Sequence, residues 1–359
     1  MDHQTYAGMS ALRLACRGGH YEAVQALLEG GSSPTQRDAR GETAFDVTTR
    51  DDILALLRDA PKLRALCMAR KDLLMRCRQG NLDHLIKYAS LGGDVNIKIG
   101  GVTPLMAAAA ASQLAVVEAL LELGARPRMT NKLQRSALYL ASECKASTEV
   151  LQALIAAGSN VNEAARYGLT SLHAAASAGA TKVLSVLIKD GGADRALRAN
   201  NKDMAIHLAC NAQHWSCVQV LVTDDTKEAK GSEGLNALHI ACKVGSRKGV
   251  GIMLDVGSDI EATTEASHTP LQIAAVNAHL EIVNILLSRG AVATRRAVST
   301  CRQPQIRQIL LAIVIEREEK EEHEREEKKR EEAARERNGL PPMPKSRSRP
   351  TSKLRRARP

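Results

Sequence analysis

The segment Thr103-Pro-Leu-Met-Ala-Ala108 recurs in variant form along most of the chain. From Thr103 onward, successive copies start 33, 34, 34, 32 and 33 residues apart. Periods of 20–50 residues are typical of solenoids, in which each unit buries its apolar face only against its neighbours. The matching segments start at Ser10, Thr43, Thr103, Ser136, Thr170, Met204, Asn236 and Thr269.

Each copy has the residue pattern of two short helices. A Thr or Ser hydroxyl accepts an unpaired backbone N–H at a helix start, and proline tolerates the first helical position. Leu105 and Ala108 mark the buried stripe of the first helix, and apolar residues at helical spacing in 116–121 mark the second. Left-handed glycines are expected to end the second helices at Gly124, Gly158, Gly257 and Gly290.

These segments resemble the ankyrin repeat, whose signature is Thr-Pro-Leu-His-x-Ala at a period of about 33 residues. The resemblance covers about residues 5–315. It implies an all-α solenoid of helix–turn–helix units joined by β-turn or hairpin loops. It also implies that His173, His207 and His239, at the fourth signature position, tie neighbouring turns together by hydrogen bonds.

Departures from the pattern predict how the chain is divided. Pro61 lies where a helix should end, and the usual glycine and hairpin are missing there. The predicted parts are repeats 1–2 in 1–60, with the second truncated; a helical linker or stack break in 61–70; repeats 3–9 in 71–290; a degenerate capping half-repeat in 291–315; a charged α-helix in 316–338; and a basic disordered tail in 339–359.

The two C-terminal parts have opposite charge patterns. Residues 316–338 carry 11 acidic and 8 basic side chains, many of them paired at i,i+4, but no apolar a/d seam. A single solvated helix is therefore expected rather than a coiled coil. The final 21 residues have seven basic and no acidic side chains and too few apolar ones to fold. This tail is interpreted as a nuclear import signal, an anchor for nucleic-acid phosphates, or a solubilising end.

Composition indicates the compartment. The N-terminus lacks the pattern of a signal peptide, and no run of about 18 apolar residues is present, so no membrane association is expected. The eight cysteines contain no C-x-x-C pair, which favours reduced thiols in the cytoplasm and/or nucleus. The formal charge is +10, and the chain is expected to be a monomer.

Enzymatic motifs are absent from the sequence. No phosphate-binding glycine loop, dinucleotide fingerprint or nucleophile motif occurs. A metal site needs converging ligands, whereas residues repeated every 33 positions lie along a line. No catalytic residue, metal or cofactor is therefore expected.

Partner contacts are the remaining expectation. The ankyrin resemblance implies binding through hairpin tips and the concave face of the first helices. Tyr139 replaces the signature histidine, Trp215 starts a second helix, and interface hot spots favour Trp, Tyr and Arg. The candidate contact residues are Arg37, Arg40, Lys98, Lys132, Arg135, Tyr139, Arg166, Tyr167, Lys202 and Trp215.

The sequence thus predicts a non-enzymatic scaffold or adaptor for a protein partner of unknown identity. One alternative is a nuclear regulatory protein whose basic tail contacts nucleic acid. A second alternative is a substrate adaptor of a ubiquitin ligase, although the C-terminus lacks the Leu- and Pro-containing helices of a SOCS box. Fold analogy alone gives only this class of function.

Overall fold

The computed structural model describes residues 10–37 and 41–337, which form twenty α-helices and two short 3₁₀ turns. The predicted all-α repeat fold is confirmed. The chain divides into two compact units, Met1–Ser267 and His268–Pro359. No helix within the described residues combines the length and apolar content needed to cross a membrane.

The first unit contains sixteen of these helices. They are α1 (Ala11–Arg17), α2 (Tyr21–Glu29), α3 (Asp51–Arg58), α4 (Ala60–Arg78), α5 (Leu82–Ser90), α6 (Pro104–Ala110), α7 (Leu114–Glu122), α8 (Ala137–Glu143), α9 (Thr148–Ala156), α10 (Ser171–Ala178), α11 (Thr181–Lys189), α12 (Ala205–Asn211), α13 (Trp215–Leu221), α14 (Asp224–Lys227), α15 (Ala237–Val244) and α16 (Arg247–Asp255). The 3₁₀ turns are Arg166–Gly168 and Ser232–Gly234.

Hydroxyl caps start the first helices, as predicted. The Thr103 hydroxyl accepts the Met106 N–H at 3.2 Å, and the Ser136 hydroxyl accepts the Tyr139 N–H at 3.3 Å. Pro104 occupies the first turn of α6, where its missing N–H has no helical partner to lose. Such caps typically stabilise a helix by about 1 kcal/mol each.

The core lies between two rows of helices. The first helices α6, α8, α10, α12 and α15 contact one another in sequence, and each packs on the second helix of its own repeat. The signature leucines Leu105, Leu138, Leu172 and Leu238 are at most 2% exposed. Full burial of one such leucine contributes about 1.5–3 kcal/mol.

Left-handed glycines end the second helices where the sequence predicted them. The φ angles of Gly124, Gly158 and Gly257 are 85°, 86° and 80°. The chain then turns into short hairpins, two of which close with antiparallel bridges, between Ile99 and Val102 and between Thr130 and Ser136.

The repeat pattern is interrupted at two places in the first unit. Helix α3 ends at Arg58, and α4 then runs without a break from Ala60 to Arg78, with Pro61 in its first turn. The segment 61–70 is thus helical throughout. Helix α13 ends early at Leu221, and the short helix α14 replaces the usual glycine turn.

The second unit contains α17 (Pro270–Val276), α18 (Leu280–Ser288), α19 (Arg295–Thr300) and α20 (Pro304–Arg337). The start of α20 buries Ile306, Leu310 and Val314, and the helix continues through the predicted boundary at 315/316. Its later part is exposed, and three of the predicted pairs form, Glu316–Lys320, Glu321–Arg325 and Glu326–Arg330. The predicted tail, 339–359, lies outside the described residues.

Candidate partner-binding groove

Three consecutive repeats enclose a groove of about 630 Å³. The first helices α8, α10 and α12 contribute one side, and the hairpin tips before α8, α10 and α12 contribute the other. The lining residues are Arg135, Tyr139, Glu143, Tyr167, Leu169, His173, Ala174, Ser177, Ala178, Ala199, Asn200, Asn201 and Leu208.

Arg135 and Tyr139 form a fixed pair at one end of the groove. The Arg135 Nη1 lies 3.0 Å from the Glu143 Oε2, and its guanidinium lies 5.1 Å from the centre of the Tyr139 ring. Tyr139 occupies the signature histidine position and is 4% exposed. Burial raises the pKa of Tyr139 above its ordinary value of 10, so the phenol stays neutral at physiological pH.

Arg166 and Tyr167 form a second Arg–Tyr pair at the next hairpin tip. Tyr167 is 62% exposed, and the Arg166 guanidinium lies 5.1 Å from its ring centre. The backbone φ of Tyr167 is +67°, which is uncommon for a bulky residue. Two backbone bonds between tips hold it there. The Arg166 N–H donates to the Leu133 carbonyl at 3.1 Å, and the Asn200 N–H donates to the Tyr167 carbonyl at 2.9 Å. The exposed ring is therefore displayed on a fixed backbone.

The floor of the groove is apolar and made of small residues. Leu169, Ala174, Ala199 and Leu208 line it, and Ala174 packs with Tyr139 in one hydrophobic cluster. Alanines leave open volume in which an apolar side chain of a ligand can be buried. The rim carries Arg135 with one opposing carboxylate, Glu143, so the groove suits a protein segment that combines apolar and polar groups.

The other predicted contact residues, Arg166 included, are not among those that line this groove. Lys202 is exposed at a lining tip, 3.8 Å from Glu265. Arg37 donates to the Gly41 carbonyl, Lys98 donates to the Thr130 carbonyl, and Lys132 is exposed at its own tip. Arg40 lies outside the described residues.

Trp215 is buried, whereas a residue that contacts a partner is expected to be exposed. It is only 7% exposed. A Cβ added at Gly249 would lie 2.4 Å from the Trp215 Cη2, so the indole packs directly on the backbone of α16. The ring fills the interior of the repeats and presents little surface to a partner.

Sequence reasoning missed several lining residues, notably Glu143, Leu169, Asn200 and Leu208. They come together only because adjacent repeats stack. Position within the repeat was one signal that could have found some of them. Glu143 and Ser177 both line the groove, and each lies seven residues after the start of its repeat. A residue that lines the groove in one repeat therefore indicates the equivalent residue in the next repeat.

The three signature histidines lie between adjacent repeats, as the resemblance implied. In His173, Nδ1 accepts the Thr170 N–H at 3.2 Å and Nε2 lies 3.3 Å from the Asp203 carbonyl. His207 and His239 reach the Ala229 and Ala262 carbonyls at 2.8 and 3.0 Å. A carbonyl only accepts, so each Nε2 carries the proton. Burial lowers the pKa of His173 and of His207, which favours the neutral imidazole.

No metal site is assembled in the described part of the chain, and burial keeps four of its thiols protonated. Residues 10–37 and 41–337 contain no group of three or more His, Cys, Asp or Glu placed to hold a metal ion. Burial raises the pKa of Cys16 and of Cys77 to about 11, and raises that of Cys210 and Cys242 as well. These thiols are protonated at neutral pH and are poor nucleophiles.

Two family models match the chain. The model for three consecutive ankyrin repeats matches residues 123–199, 172–264 and 225–297, and the single ankyrin repeat model matches residues 7–39 and 100–132. The two matches of the single-repeat model lie on either side of the irregular helix α4.

Similar proteins come from distant organisms. The nuclear factor NF-kappa-B p105 subunit of Gallus gallus is 33% identical over 45% of this chain and 17% of its own length. The B-cell lymphoma 3 protein homolog of Mus musculus is 34% identical over 34% of this chain and 28% of its own length. The chain thus spans less than a third of either relative.

The alignment covers a larger share of a bacterial relative. The ankyrin repeat protein YahD of Escherichia coli (strain K12) is 32% identical over 42% of this chain and 81% of its own length. Ankyrin repeats generally mediate protein–protein interactions and are typically not enzymes. With its repeat period, stacked helix pairs and these matches, the chain belongs to the ankyrin-repeat family.

Proposed function

We propose that this protein is a non-enzymatic scaffold or adaptor that binds a partner protein in the groove lined by Arg135, Tyr139 and Tyr167. The observation that carries the proposal is the groove itself, which has an apolar floor and is lined by the Arg135–Tyr139 pair and by the exposed ring of Tyr167. Tyrosine and arginine are enriched at interface hot spots because each offers a large contact area together with hydrogen-bonding groups.

The preformed geometry of the site supports binding. Inter-repeat hydrogen bonds fix the backbone that displays Tyr167, and contacts with Glu143 and Tyr139 hold the Arg135 side chain. Preformed side chains lose little conformational entropy on binding, which improves affinity. We therefore expect a partner segment to bury an apolar side chain against Leu169 and Leu208 while polar groups contact the rim.

Affinity purification from cells followed by mass spectrometry tests the proposal. The bait is the full chain, compared with a groove variant, Tyr167→Ala combined with Leu208→Glu. The control is Lys189→Glu, an exposed lysine at the end of second helix α11 and outside the groove. Purified partners should then be checked by direct titration.

A direct partner should bind the wild type and the Lys189→Glu variant equally and lose at least about tenfold affinity for the groove variant, which corresponds to about 1.4 kcal/mol. Partners that bind all three proteins with the same affinity would place the interface elsewhere. Circular dichroism melting of the groove variant separates lost binding from lost folding.

We also propose that the protein works in the cytoplasm, the nucleus or both, and that the tail 339–359 serves as a nuclear import signal. Its seven basic and no acidic residues support this, as does the similarity of the repeats to a nuclear factor subunit. Deleting residues 340–359 should shift the protein from nucleus to cytoplasm. Salt-dependent RNA or DNA binding that is lost with the same deletion would instead favour a nucleic-acid contact by the tail.

A further inference from the structure

Helix α4 carries a regular pattern of four exposed residues and one half-buried arginine, Arg64, that the repeat fold does not require. Five of its residues follow one another at spacings of four, three, four and three: Arg64, Met68, Lys71, Met75 and Arg78. We call these five residues the α4 stripe. At 3.6 residues per turn, positions with this spacing lie along one side of a helix.

The α4 stripe lies opposite the buried side of its helix. Ala69, Leu73 and Cys77 are buried, with exposures of 5%, 0% and 0%. These three residues recur every four positions on the face that packs on the neighbouring helices. Met68 and Met75 are instead 65% and 48% exposed, and Lys71 and Arg78 are exposed as well.

The charges of α4 are largely uncompensated. The helix contains six basic residues and one acidic residue. Arg64 donates to the Gly31 carbonyl at 2.6 Å. Within residues 10–37 and 41–337, no carboxylate lies in ion-pair distance of Lys71 or Arg78. The stripe therefore combines apolar surface in contact with water and positive charge without an acidic partner.

We propose that the α4 stripe binds an acidic amphipathic helix of another protein. Alternating spacings of three and four are the geometry at which a second helix packs along the first. Methionine is flexible and polarizable, so Met68 and Met75 adapt to the apolar face of such a helix. Acidic residues beside that face pair with Lys71 and Arg78.

The dimensions define the partner further. From Arg64 to Arg78 the helix rises about 21 Å, at about 1.5 Å per residue, so a partner helix of about four turns covers the stripe. A nucleic acid would pair its phosphates with the cations but would gain little from Met68 and Met75. The exposed methionines therefore favour a protein helix. This surface shares no residue with the groove, so the two proposals are tested separately.

The test is a fluorescence-anisotropy titration of the full chain with a labelled 21-residue peptide. The peptide has three heptads with Leu at positions a and d, Glu at e and g, and Ala or Gln elsewhere. A second peptide has Lys in place of every Glu. The acidic peptide should bind, and the basic peptide should bind at least about tenfold more weakly because it repels the stripe.

Two pairs of variants locate the binding surface. Lys71→Glu changes the stripe, and its control Arg70→Glu makes the same charge change on the adjacent exposed residue, about 100° around the helix. Met68→Ser with Met75→Ser removes the apolar part, and its control is Ile86→Ser, an exposed residue of α5. Lys71→Glu and the double Met variant should each weaken binding by at least about tenfold, and the controls by less than about twofold.

Several results would overturn the proposal. Equal effects of Lys71→Glu and Arg70→Glu would indicate diffuse electrostatic attraction. Unchanged binding by the double Met variant, or no binding of the acidic peptide, would also reject a helix partner. Dimerisation of the chain in sedimentation, lost in Lys71→Glu, would make a second copy the occupant. The stripe would be a nucleic-acid surface if the chain bound a 20-base-pair DNA duplex more tightly than the peptide and the Met substitutions left that DNA binding unchanged.

Discussion

At the scale of single residues, the turn between the two helices of a repeat demands a left-handed backbone. Nine residues after the repeat start, the chain has positive φ in every repeat with an ordinary first helix. Glycine meets this demand without strain, whereas other residues are held there at a cost of about 1 kcal/mol. Glycine fills the position at Gly19, Gly179 and Gly245, but Ser112, Lys145, Gln213 and Ala278 fill it elsewhere.

Gln213→Gly should therefore stabilise the first unit. Gln213 is exposed and has φ 59°, so the change relieves backbone strain and removes no buried contact. We expect the free energy of unfolding to rise by about 0.5–1 kcal/mol, after subtracting the extra entropy that glycine has in the unfolded chain. The measurement is urea unfolding followed by circular dichroism. As a control, Glu118→Gly in the exposed interior of α7 should cost about 1 kcal/mol; a loss of stability in Gln213→Gly would contradict the strain argument.

The buried histidines should make stability depend on pH. Burial lowers the pKa of His173 and His207 in the folded state below the ordinary value of 6.5, so the unfolded chain takes up protons first as the pH falls. Their contribution is complete above about pH 6.5 and decreases as the pH falls from there to the folded pKa, by at most about 1.4 kcal/mol per pH unit for each histidine.

The matched variant is His173→Gln with His207→Gln. At the same register, the Gln272 Oε1 already accepts the Thr269 N–H at 3.1 Å, and its Nε2 lies 3.3 Å from the Thr294 Oγ1. Glutamine therefore keeps both hydrogen bonds without titrating. Urea unfolding between pH 5 and 8 should show a flatter profile for the variant; identical slopes would mean that these histidines do not titrate in this range.

At the scale of one element, α20 has two sources of stability. Its first turns are held by burial of Ile306, Leu310 and Val314. Beyond about residue 320 it is held by helical hydrogen bonds and by exposed i,i+4 pairs such as Glu321–Arg325 and Glu326–Arg330. Exposed pairs of this kind contribute only about 0.3–0.5 kcal/mol each and are screened by salt.

Raising the salt concentration to about 1 M should therefore loosen the later part of α20 selectively, because the Debye length falls to about 3 Å. Hydrogen exchange should become faster for amides 320–331. It should stay unchanged for α7, which is held by buried leucine and valine side chains. The variant Glu326→Gln should reproduce part of the effect at low salt, and equal exchange at both salt concentrations would show that the ion pairs do not stabilise the helix.

At the scale of the whole molecule, the first two repeats have a hydrophobic cluster of their own. Leu12, Val24, Leu28 and Leu57 belong to it, and it ends at Ala60 with Leu63 packed against it. In a solenoid, coupling passes only through the interfaces of neighbouring units. Helix α4 packs both on α2 of the first block and on α6 of the later repeats. Because Pro61 and α4 interrupt the repeat pattern there, we predict that residues 1–60 unfold separately from the later repeats.

Leu57→Ala tests this coupling. Removal of a buried leucine costs about 2–5 kcal/mol. If the first block unfolds separately, hydrogen exchange should accelerate in α1–α3 and remain unchanged in α8–α11. Leu151→Ala, at an equally buried position of α9, should produce the reverse pattern. Equal acceleration of both regions by either variant would show that the first unit unfolds as one cooperative body.

The local chemistry of the sequence was sufficient for the repeat, its helix pairs, the hydroxyl caps and the left-handed glycines. Each of these depends on residues within one period, such as Thr103 for a cap and Gly124 for a helix end. A helical linker in 61–70 was one of two expectations from the sequence, but one continuous helix from Ala60 to Arg78 was not predicted, because Pro61 suggested a helix end although proline is tolerated in a first turn.

The groove depended instead on contacts between residues about 30 positions apart. Sequence reasoning proposed Arg135, Tyr139 and Tyr167, but not the floor formed by Leu169 and Leu208. It also placed Trp215 among the contact residues, because the small Gly249 that receives the indole lies 34 positions away. Local pattern specifies each unit since caps, turns and helical periodicity act within it. Which side chains remain exposed depends on how neighbouring units stack, since burial is a property of two surfaces together.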